Sequence, residues 1–301
     1  MTAAIRMASV VLLGLAAAGP ALACRVEQRA AVPLDFAAGS ILVPVAVDGR
    51  PAAFVLDTGA ERSMVSETAA RQLGLARDEW VATTMHGVGG DVRRRNAVPR
   101  TMALGGVPLH RWTVARDLSL TVADLPAEIE GRPVAGLLGA DLLASFDLDI
   151  DLPNRTLRLF DVQDCRGDFI PWPQPHRAVP AVRPVRDVLL LPVTLDGTVL
   201  RAQLDTGSAT TLILAPGIAR LDLPPDPAGP AIRGVGRDRL GTTLHRFRRM
   251  QVGPVVETEQ TIPLARAFAL RVVDMLLGAD WLAKRRVWVS YATSQVFVDG
   301  G

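Results

Sequence analysis

Two Asp-Thr-Gly triplets are the residues of this chain best suited to chemistry. They lie at Asp57–Gly59 and Asp205–Gly207, and each follows an apolar run and precedes a polar, turn-like segment. A carboxyl group at the end of a buried strand is costly unless it has a partner or a function. Two carboxyls about 3 Å apart cannot both ionise, so such a pair would share one proton. The ionised member could then activate a water for attack on a carbonyl carbon, while its protonated partner hydrogen-bonds the carbonyl oxygen.

The neighbours of each aspartate fit this chemistry. Gly59 and Gly207 have no Cβ, so backbone can approach the carboxyl groups closely and turn tightly. The hydroxyls of Thr58 and Thr206 can hydrogen-bond across the interface between the two halves. A single triplet is typical of an ordinary turn, whereas two in matching contexts favour a shared site. The residues predicted to support the catalytic loops are Thr58, Gly59, Ala60, Thr206, Gly207 and Ser208.

The two loops differ at the residue after the glycine, which is Ala60 in one and Ser208 in the other. A Ser208 hydroxyl could donate a hydrogen bond to Asp205 and stabilise its ionised form, and Ala60 offers no such donor. We therefore predict that Asp205 is the more acidic member of a coupled pair.

The triplets belong to a tandem repeat. Segment 43–60 returns as 191–208, shifted by 148 residues. A Gly-rich segment follows in each half, and then a Leu-Leu-Gly-Ala-Asp segment, at 137–141 and 276–280. Because the order is the same in both halves and the period is long, the chain is a duplicated domain rather than a solenoid.

The elements that must position the triplets are mostly strands. Four short apolar strands, joined in pairs by an Asp-Gly turn, are predicted at Leu42–Val47, Ala52–Leu56, Leu189–Leu195 and Leu200–Leu204. A short helix is predicted over Ser66–Leu75, capped by Ser66 and stopped by Gly74. Further helical turns are predicted at Leu142–Phe146 and Trp281–Arg285, and strand-like runs at Leu148–Phe160 and Val287–Val298. The predicted fold class is all-β with a few short helices.

These motifs resemble those of the retropepsin-like aspartic proteases. In that family each lobe carries hydrophobic-hydrophobic-Asp-Thr-Gly-Ala/Ser, then a Gly-rich flap, then hydrophobic-hydrophobic-Gly. The resemblance covers Ile41–Phe160 and Leu189–Val298. It implies two tandem β-barrel lobes that form a pepsin-like bilobal pseudo-dimer, with Asp57 and Asp205 as the catalytic dyad for hydrolysis of a polypeptide substrate, and no cofactor.

The resemblance also makes the two Gly-rich segments flaps over a substrate cleft. Glycines suit a lid that opens for a polypeptide and closes to exclude water, and an ordinary glycine hairpin is the alternative interpretation. The residues assigned in this way are Gly87, Val88, Gly89, Gly90, Gly234, Val235 and Gly236. The Leu-Leu-Gly segments are expected to pack behind the aspartate loops as structural support.

Two features of the chain depart from the family pattern. Gln203 replaces an apolar residue ahead of the second aspartate, and the only tyrosine, Tyr291, lies near the C-terminus, so a pepsin-style flap tyrosine is absent.

Asp147, Asp149 and Asp151 alternate with apolar residues. They lack the glycine and closing glutamate of a calcium loop, and the alternation predicts an amphipathic strand.

The N-terminus predicts export from the cytoplasm. Arg6, a short apolar run and Ala21–Ala23 are typical of a secretory signal peptide cleaved after Ala23, which would place the mature chain in the periplasm or outside the cell. Cys24 and Cys165 then allow three states: a disulfide between them, favoured in an oxidising compartment, a lipid anchor on Cys24, or free thiols. Two cysteines without suitably spaced histidines predict no metal site.

The domain organisation follows from the repeat and from a proline-rich stretch. We predict a signal peptide at 1–23, an N-terminal lobe at 24–164, a linker at 165–186 and a C-terminal lobe at 187–301. A formal net charge of +2 over 301 residues argues against strong capture of nucleic acid, and no later stretch is long and apolar enough to span a membrane.

Alternative interpretations concern what the cleft does. The lobes could bind a peptide without cutting it, although a pure binding module has no need for two facing carboxyl groups. Each repeat could also pair with its counterpart in another chain. The favoured interpretation is a monomer in which the two repeats of one chain form the site.

Overall fold

The computed structural model describes residues 23–87, 90–109, 118–185, 187–223, 231–233, 239–266 and 272–299. The elements of the first half are β1 (Arg25–Pro33), β2 (Asp35–Ala37), β3 (Ser40–Val47), β4 (Arg50–Leu56), β5 (Met64–Ser66), α1 (Glu67–Gln72), β6 (Ala76–Gly87), β7 (Gly90–Val98), β8 (Met102–Leu104), β9 (Val107–Pro108), β10 (Thr121–Ala123), β11 (Glu128–Ile129), β12 (Arg132–Pro133), β13 (Gly136–Leu138), α2 (Ala140–Leu143), β14 (Asp147–Asp151) and β15 (Thr156–Gln163). Those of the second half are β16 (His176–Pro180), β17 (Val182–Val185), β18 (Val188–Leu195), β19 (Thr198–Leu204), β20 (Leu212–Ile213), α3 (Ala215–Arg220), β21 (Ala231–Arg233), β22 (Arg239–Val252), β23 (Val255–Ala265), β24 (Met275–Leu277), α4 (Ala279–Leu282), β25 (Arg286–Ser290) and β26 (Gln295–Asp299).

Each repeat builds its own sheet around the strand that ends in a triplet. In the first lobe the order β10-β5-β13-β4-β3-β8-β9 places β4 between β3 and β13, and in the second lobe β19 lies between β18 and β24. The predicted hairpins β3–β4 and β18–β19 are confirmed. Their turns at Asp48-Gly49 and Asp196-Gly197 have positive φ at both residues, the conformation that favours Asp-Gly in two-residue hairpins. The all-β, two-lobed fold is confirmed.

A third sheet contains strands from both halves. Its order is β1-β15-β14-β25-β26-β16, and β14 pairs antiparallel with β25, with Leu148 opposite Val289. The strand-like runs at the end of each repeat are therefore hairpins, β14–β15 and β25–β26, rather than single strands. Arg155 and Ser294 turn them with positive φ. This shared sheet joins the two lobes by backbone hydrogen bonds.

The amphipathic strand predicted from Asp147, Asp149 and Asp151 is wrong, because all of β14 is buried. On the face that carries the three aspartates, side chains of the neighbouring strands β15 and β25 contact the carboxyl groups. Asp149 accepts hydrogen bonds from Arg286 Nε at 2.8 Å and Nη2 at 2.6 Å. Asp147 accepts one from Trp288 Nε1 at 3.1 Å. Buried carboxylates persist only with such partners.

One short helix begins where the sequence predicted it, and two others begin earlier than predicted. α1 has Ser66 as N-cap, its hydroxyl accepting from the Ala69 amide at 3.0 Å, as predicted. α2 and α4 begin two residues earlier than predicted, at Ala140 and Ala279. The cause is tertiary, since the amides of these residues donate to carbonyls of the aspartate loops. α3 was not predicted, because Pro and Gly lie in its first turn.

The proline-rich stretch is extended and paired. β16 pairs with β26, and β17 with β18, so the segment follows the surface of the second half instead of hanging free. The predicted domain limits stay a prediction. Residues 1–22 of the predicted signal peptide lie outside the described residues. Among the described helices, none is long and apolar enough to cross a membrane.

Cys24 and Cys165 form a disulfide. Of the three predicted states of these cysteines, the structure shows the first. The bond ties the chain ahead of β1 to the end of β15, across 141 residues. A lipid thioether on Cys24 would need the same sulfur atom.

We predict that Cys24→Ser and Cys165→Ser lower the free energy of unfolding equally, because either change opens the same loop. The chain-entropy model gives a loss of up to about 5 kcal/mol for a loop of this size. Urea unfolding of the oxidised protein measures it, and wild type treated with reductant is the matched control. Unequal losses, or an intact mass that shows lipid on Cys24, would contradict the disulfide.

Candidate active site

Asp57 and Asp205 leave the ends of equivalent strands. β4 runs parallel to β13, and β19 runs parallel to β24. The Asp57 amide donates to the Leu138 carbonyl and the Asp205 amide to the Leu277 carbonyl, each at 3.0 Å. These bonds continue the strand pairing by one residue, so each aspartate is anchored through its backbone to the buried Leu-Leu-Gly strand.

The two threonines lock the loops to each other across the lobe interface. Thr58 Oγ1 donates to the Leu204 carbonyl and Thr206 Oγ1 to the Leu56 carbonyl, both at 2.7 Å. Each hydroxyl also accepts from the other threonine's amide, at 3.0 and 3.2 Å. Both side chains are fully buried. The predicted hydrogen bonding across the interface is confirmed, and it has twofold symmetry.

Backbone amides hold one oxygen of each carboxyl group. Oδ1 of Asp57 accepts from the amides of Gly59 and Ala60 at 3.0 and 2.8 Å. Oδ1 of Asp205 accepts from the amides of Gly207 and Ser208, both at 3.0 Å. The same glycines face the opposite carboxyl group: a Cβ on Gly59 would lie 2.6 Å from Asp205 Oδ1. The missing side chains are what allow the two loops to meet, as the sequence predicted.

A second aspartate supports each loop from behind. Asp141 accepts from the amide and hydroxyl of Ser63 at 2.8 and 2.7 Å, and Asp280 accepts from the amide and hydroxyl of Thr211 at the same distances. The helices that follow donate back to the aspartate loops, the Ala140 amide to the Ala60 carbonyl and the Ala279 amide to the Ser208 carbonyl, both at 2.8 Å. The sequence showed these aspartates in the repeated Leu-Leu-Gly-Ala-Asp motif, but their role as loop supports was missed.

The electrostatics of the pair favour a single shared proton. Burial raises the pKa of Asp57, and the negative charge of Asp205 raises that pKa further, to well above its ordinary value. Burial also raises the pKa of Asp205, but the amides of Ser208 and Gly207 and a hydrogen bond from Asp57 oppose the rise. These directions favour Asp57 as the member that holds the shared proton and Asp205 as the ionised member.

The sequence predicted that Asp205 is more acidic than Asp57, and the pKa directions agree. The predicted cause, a hydrogen bond from the Ser208 hydroxyl to Asp205, is wrong. The Ser208 hydroxyl donates to the Thr210 carbonyl at 2.8 Å instead of to Asp205. Only the Ser208 amide reaches the carboxyl group, and Ala60 supplies the same bond in the other loop. The two loops also differ at Gln203, whose Nε2 donates to the Gly59 carbonyl of the other lobe at 2.6 Å, whereas the equivalent residue of the first repeat is Val55.

The predicted flap residues are described only in part. β6 and β7 form a hairpin that ends with Gly87 opposite Gly90. Val88, Gly89, Gly234, Val235 and Gly236 lie outside the described residues. Tyr291 is buried in the core, which agrees with the prediction that it is no flap residue. Within the described ranges, no cluster of three His, Cys, Asp or Glu side chains is placed to hold a metal ion.

Comparison with known proteins gives one family. The model of a family described as aspartyl protease matches residues 43–142 and 191–281. Each match begins in the first strand of a hairpin and ends in the helix behind the aspartate loop. Comparison with the curated proteins finds no significant match.

We predict that Thr206→Val lowers the free energy of unfolding by about 1–3 kcal/mol, because it leaves the buried Leu56 carbonyl and the Thr58 amide without partners. The matched control is Thr156→Val, whose hydroxyl bonds the Asn154 carbonyl on the exposed surface and should cost less than about 0.5 kcal/mol. Urea unfolding measures both. Equal losses of unfolding free energy in the two variants would contradict a stabilising role for the cross-lobe hydrogen bonds.

Asp57→Asn should stabilise the protein at neutral pH and leave its stability unchanged in acid. Above the ordinary carboxyl pKa near 3.8, the unfolded wild type releases a proton that folded Asp57 retains, so wild-type stability falls as the pH rises. Asparagine removes this pH dependence. We expect a gain of at least about 1 kcal/mol at pH 7. Thermal unfolding across pH measures it, with the exposed Asp164→Asn as control, and a gain that persists below pH 3.8 would contradict the assignment.

Proposed function

This chain belongs to the aspartyl protease family, and we propose that it hydrolyses peptide bonds with one aspartate from each repeat acting on a shared water. The observation that carries the proposal is the joining of the two loops. Thr58 and Thr206 make four hydrogen bonds across the interface, two with each other and two to leucine carbonyls. Gly59 and Gly207 leave room for the two carboxyl groups to meet.

The roles of the two aspartates follow from their environments. Asp205, the ionised member, takes a proton from the water as its oxygen attacks the carbonyl carbon of the peptide. Asp57 gives its proton to the carbonyl oxygen, and a tetrahedral diol forms. In the second half of the reaction Asp205 returns its proton to the leaving nitrogen. Asp57 then takes a proton from one hydroxyl of the diol, the carbon–nitrogen bond breaks, and the pair regains its starting state.

The amide donors keep this pair ready for the reaction. Each Oδ1 is held by two backbone amides, so the carboxyl groups need not reorient as protons move between them and the substrate. Preorganised donors of this kind contribute more than flexible ones, because no reorganisation is needed in the transition state. The hairpin β6–β7, with glycines at its tip, supports a role for the first flap in covering an extended polypeptide substrate.

We also propose that one chain is sufficient and acts outside the cytoplasm. Both aspartates come from the same chain, which supports a monomer in the form of a pseudo-dimer. The Cys24–Cys165 disulfide supports an oxidising compartment, the periplasm or the cell exterior, where cleavage of the proposed signal peptide after Ala23 would leave Cys24 as the first residue.

The test is cleavage of a diverse peptide library from acid to neutral pH by wild type, Asp57→Asn and Asp205→Asn. We expect wild type to cut and each variant to lose about 10²–10⁴ in kcat/KM, since each removes an essential acid or base. Asp164→Asn is the surface control and should retain wild-type rates. If folded wild type cuts nothing, with or without prior proteolytic activation, the proposal fails and a peptide-binding role for the cleft replaces it.

A further inference from the structure

Gln203 breaks the symmetry of the site. Its side chain is buried, with 4% of its surface exposed, and lies two residues ahead of Asp205 in β19. Its Nε2 crosses the lobe interface and donates to the Gly59 carbonyl at 2.6 Å. The equivalent position in the first repeat is Val55, whose side chain has no donor. One loop of the pair therefore receives a hydrogen bond that the other lacks.

The bond from Gln203 leads to Asp57 through a single peptide group. The Gly59 carbonyl and the Ala60 amide belong to the same peptide unit, and the Ala60 amide donates to Asp57 Oδ1 at 2.8 Å. A hydrogen bond to the oxygen of a peptide group polarises that group and makes its N–H a stronger donor. Gln203, Gly59, Ala60 and Asp57 thus form a continuous chain of donors and acceptors.

The side-chain amide of Gln203 costs free energy at this buried position. Within the described residues its Oε1 is buried without a hydrogen-bond partner. A buried polar atom in that state costs free energy that an apolar side chain of the same length would avoid. The bond to Gly59 therefore has a poor explanation in stability, and its effect on Asp57 offers a better one.

We propose that Gln203 is a positioning residue that, acting through the Gly59–Ala60 peptide group, strengthens the hydrogen bond on Asp57 and so eases the release of the proton that Asp57 holds. The inference rests on the proposed function, because it concerns the same two carboxyl groups. Asp205 is the charged group that faces Asp57 across the interface, and Tyr291 interacts with Asp57 at longer range; neither is altered by a change at Gln203.

The consequence is a shift in one limb of the pH profile. A weaker Ala60 donor stabilises ionised Asp57 less, so its pKa rises. Asp57 carries the proton of the active pair, and its loss defines the basic limb of kcat/KM. Without Gln203 the basic limb should move to higher pH. We expect a shift of about 0.3–0.5 pH unit if the loss weakens the Ala60 hydrogen bond by roughly 10–30%. The acid limb, which reports Asp205, should stay where it is.

The experiment compares pH profiles of kcat/KM for wild type, Gln203→Met and Gln203→Val. Methionine keeps the length of the side chain, and valine copies Val55 of the other repeat, so one variant remains if the other fails to fold. The matched control is Gln251→Met, because Gln251 Nε2 also donates to a glycine carbonyl, that of Gly253 at 3.0 Å, outside the catalytic loops. We expect the basic limb to shift only in the Gln203 variants, and the melting temperature of each variant shows that it is folded.

One result would overturn the inference: a folded Gln203 variant in which both limbs of the pH profile are unmoved. A lowered melting temperature with that unchanged profile is what a purely structural role predicts. If wild type cleaves no peptide, the proposed function fails separately. Titration of the Asp57 carboxyl carbon by NMR in the same variants then decides the inference, since it needs no catalysis: an unchanged titration would refute it.

Discussion

Two carboxyl groups buried against each other cannot both be ionised at moderate free-energy cost, and the structure around Asp57 and Asp205 is arranged to meet that constraint. Four backbone amides hold the carboxyl oxygens, two from each loop. The loops approach closely only because Gly59 and Gly207 lack side chains. One proton remains between the two groups, and the unequal surroundings decide which of them retains it.

The rest of the fold keeps the two loops from separating. The cross-lobe bonds of Thr58 and Thr206 act at the site itself, and the sheet shared by β14 and β25 acts at a distance from it. Within that sheet the Asp149–Arg286 pair bonds one lobe to the other through side chains. Repulsion between carboxylates and the cost of burying them are thus opposed by contacts that neither lobe could make alone.

The sequence predicted the parts of the site that depend on backbone and on repetition. The duplicated Asp-Thr-Gly pattern was sufficient to predict the pairing of Asp57 with Asp205 and the crossing of the threonine hydroxyls. It was insufficient wherever a side chain had two partners within reach. The Ser208 hydroxyl has two acceptors in its own loop, and it donates to the Thr210 carbonyl instead of to Asp205.

Contacts between the halves were the other source of error. Asp149 lies on a strand whose alternation indicates one exposed face, but its carboxyl group is buried and pairs with Arg286 of β25, a strand from the second lobe. Gln203 was noted as a departure from an apolar pattern, but its acceptor, the Gly59 carbonyl, belongs to the other lobe. Local periodicity carries no information on a partner so distant in the chain.

The central claim is that one chain supplies both members of the pair. Mixing the Asp57→Asn chain with the Asp205→Asn chain tests it most directly, with wild-type cleavage of the same peptide as the reference. An intramolecular pair predicts no recovery of activity, because every molecule retains one asparagine in its site. Recovery that grows with the concentration of the mixed chains would contradict the account, since it would mean that the aspartates meet between chains.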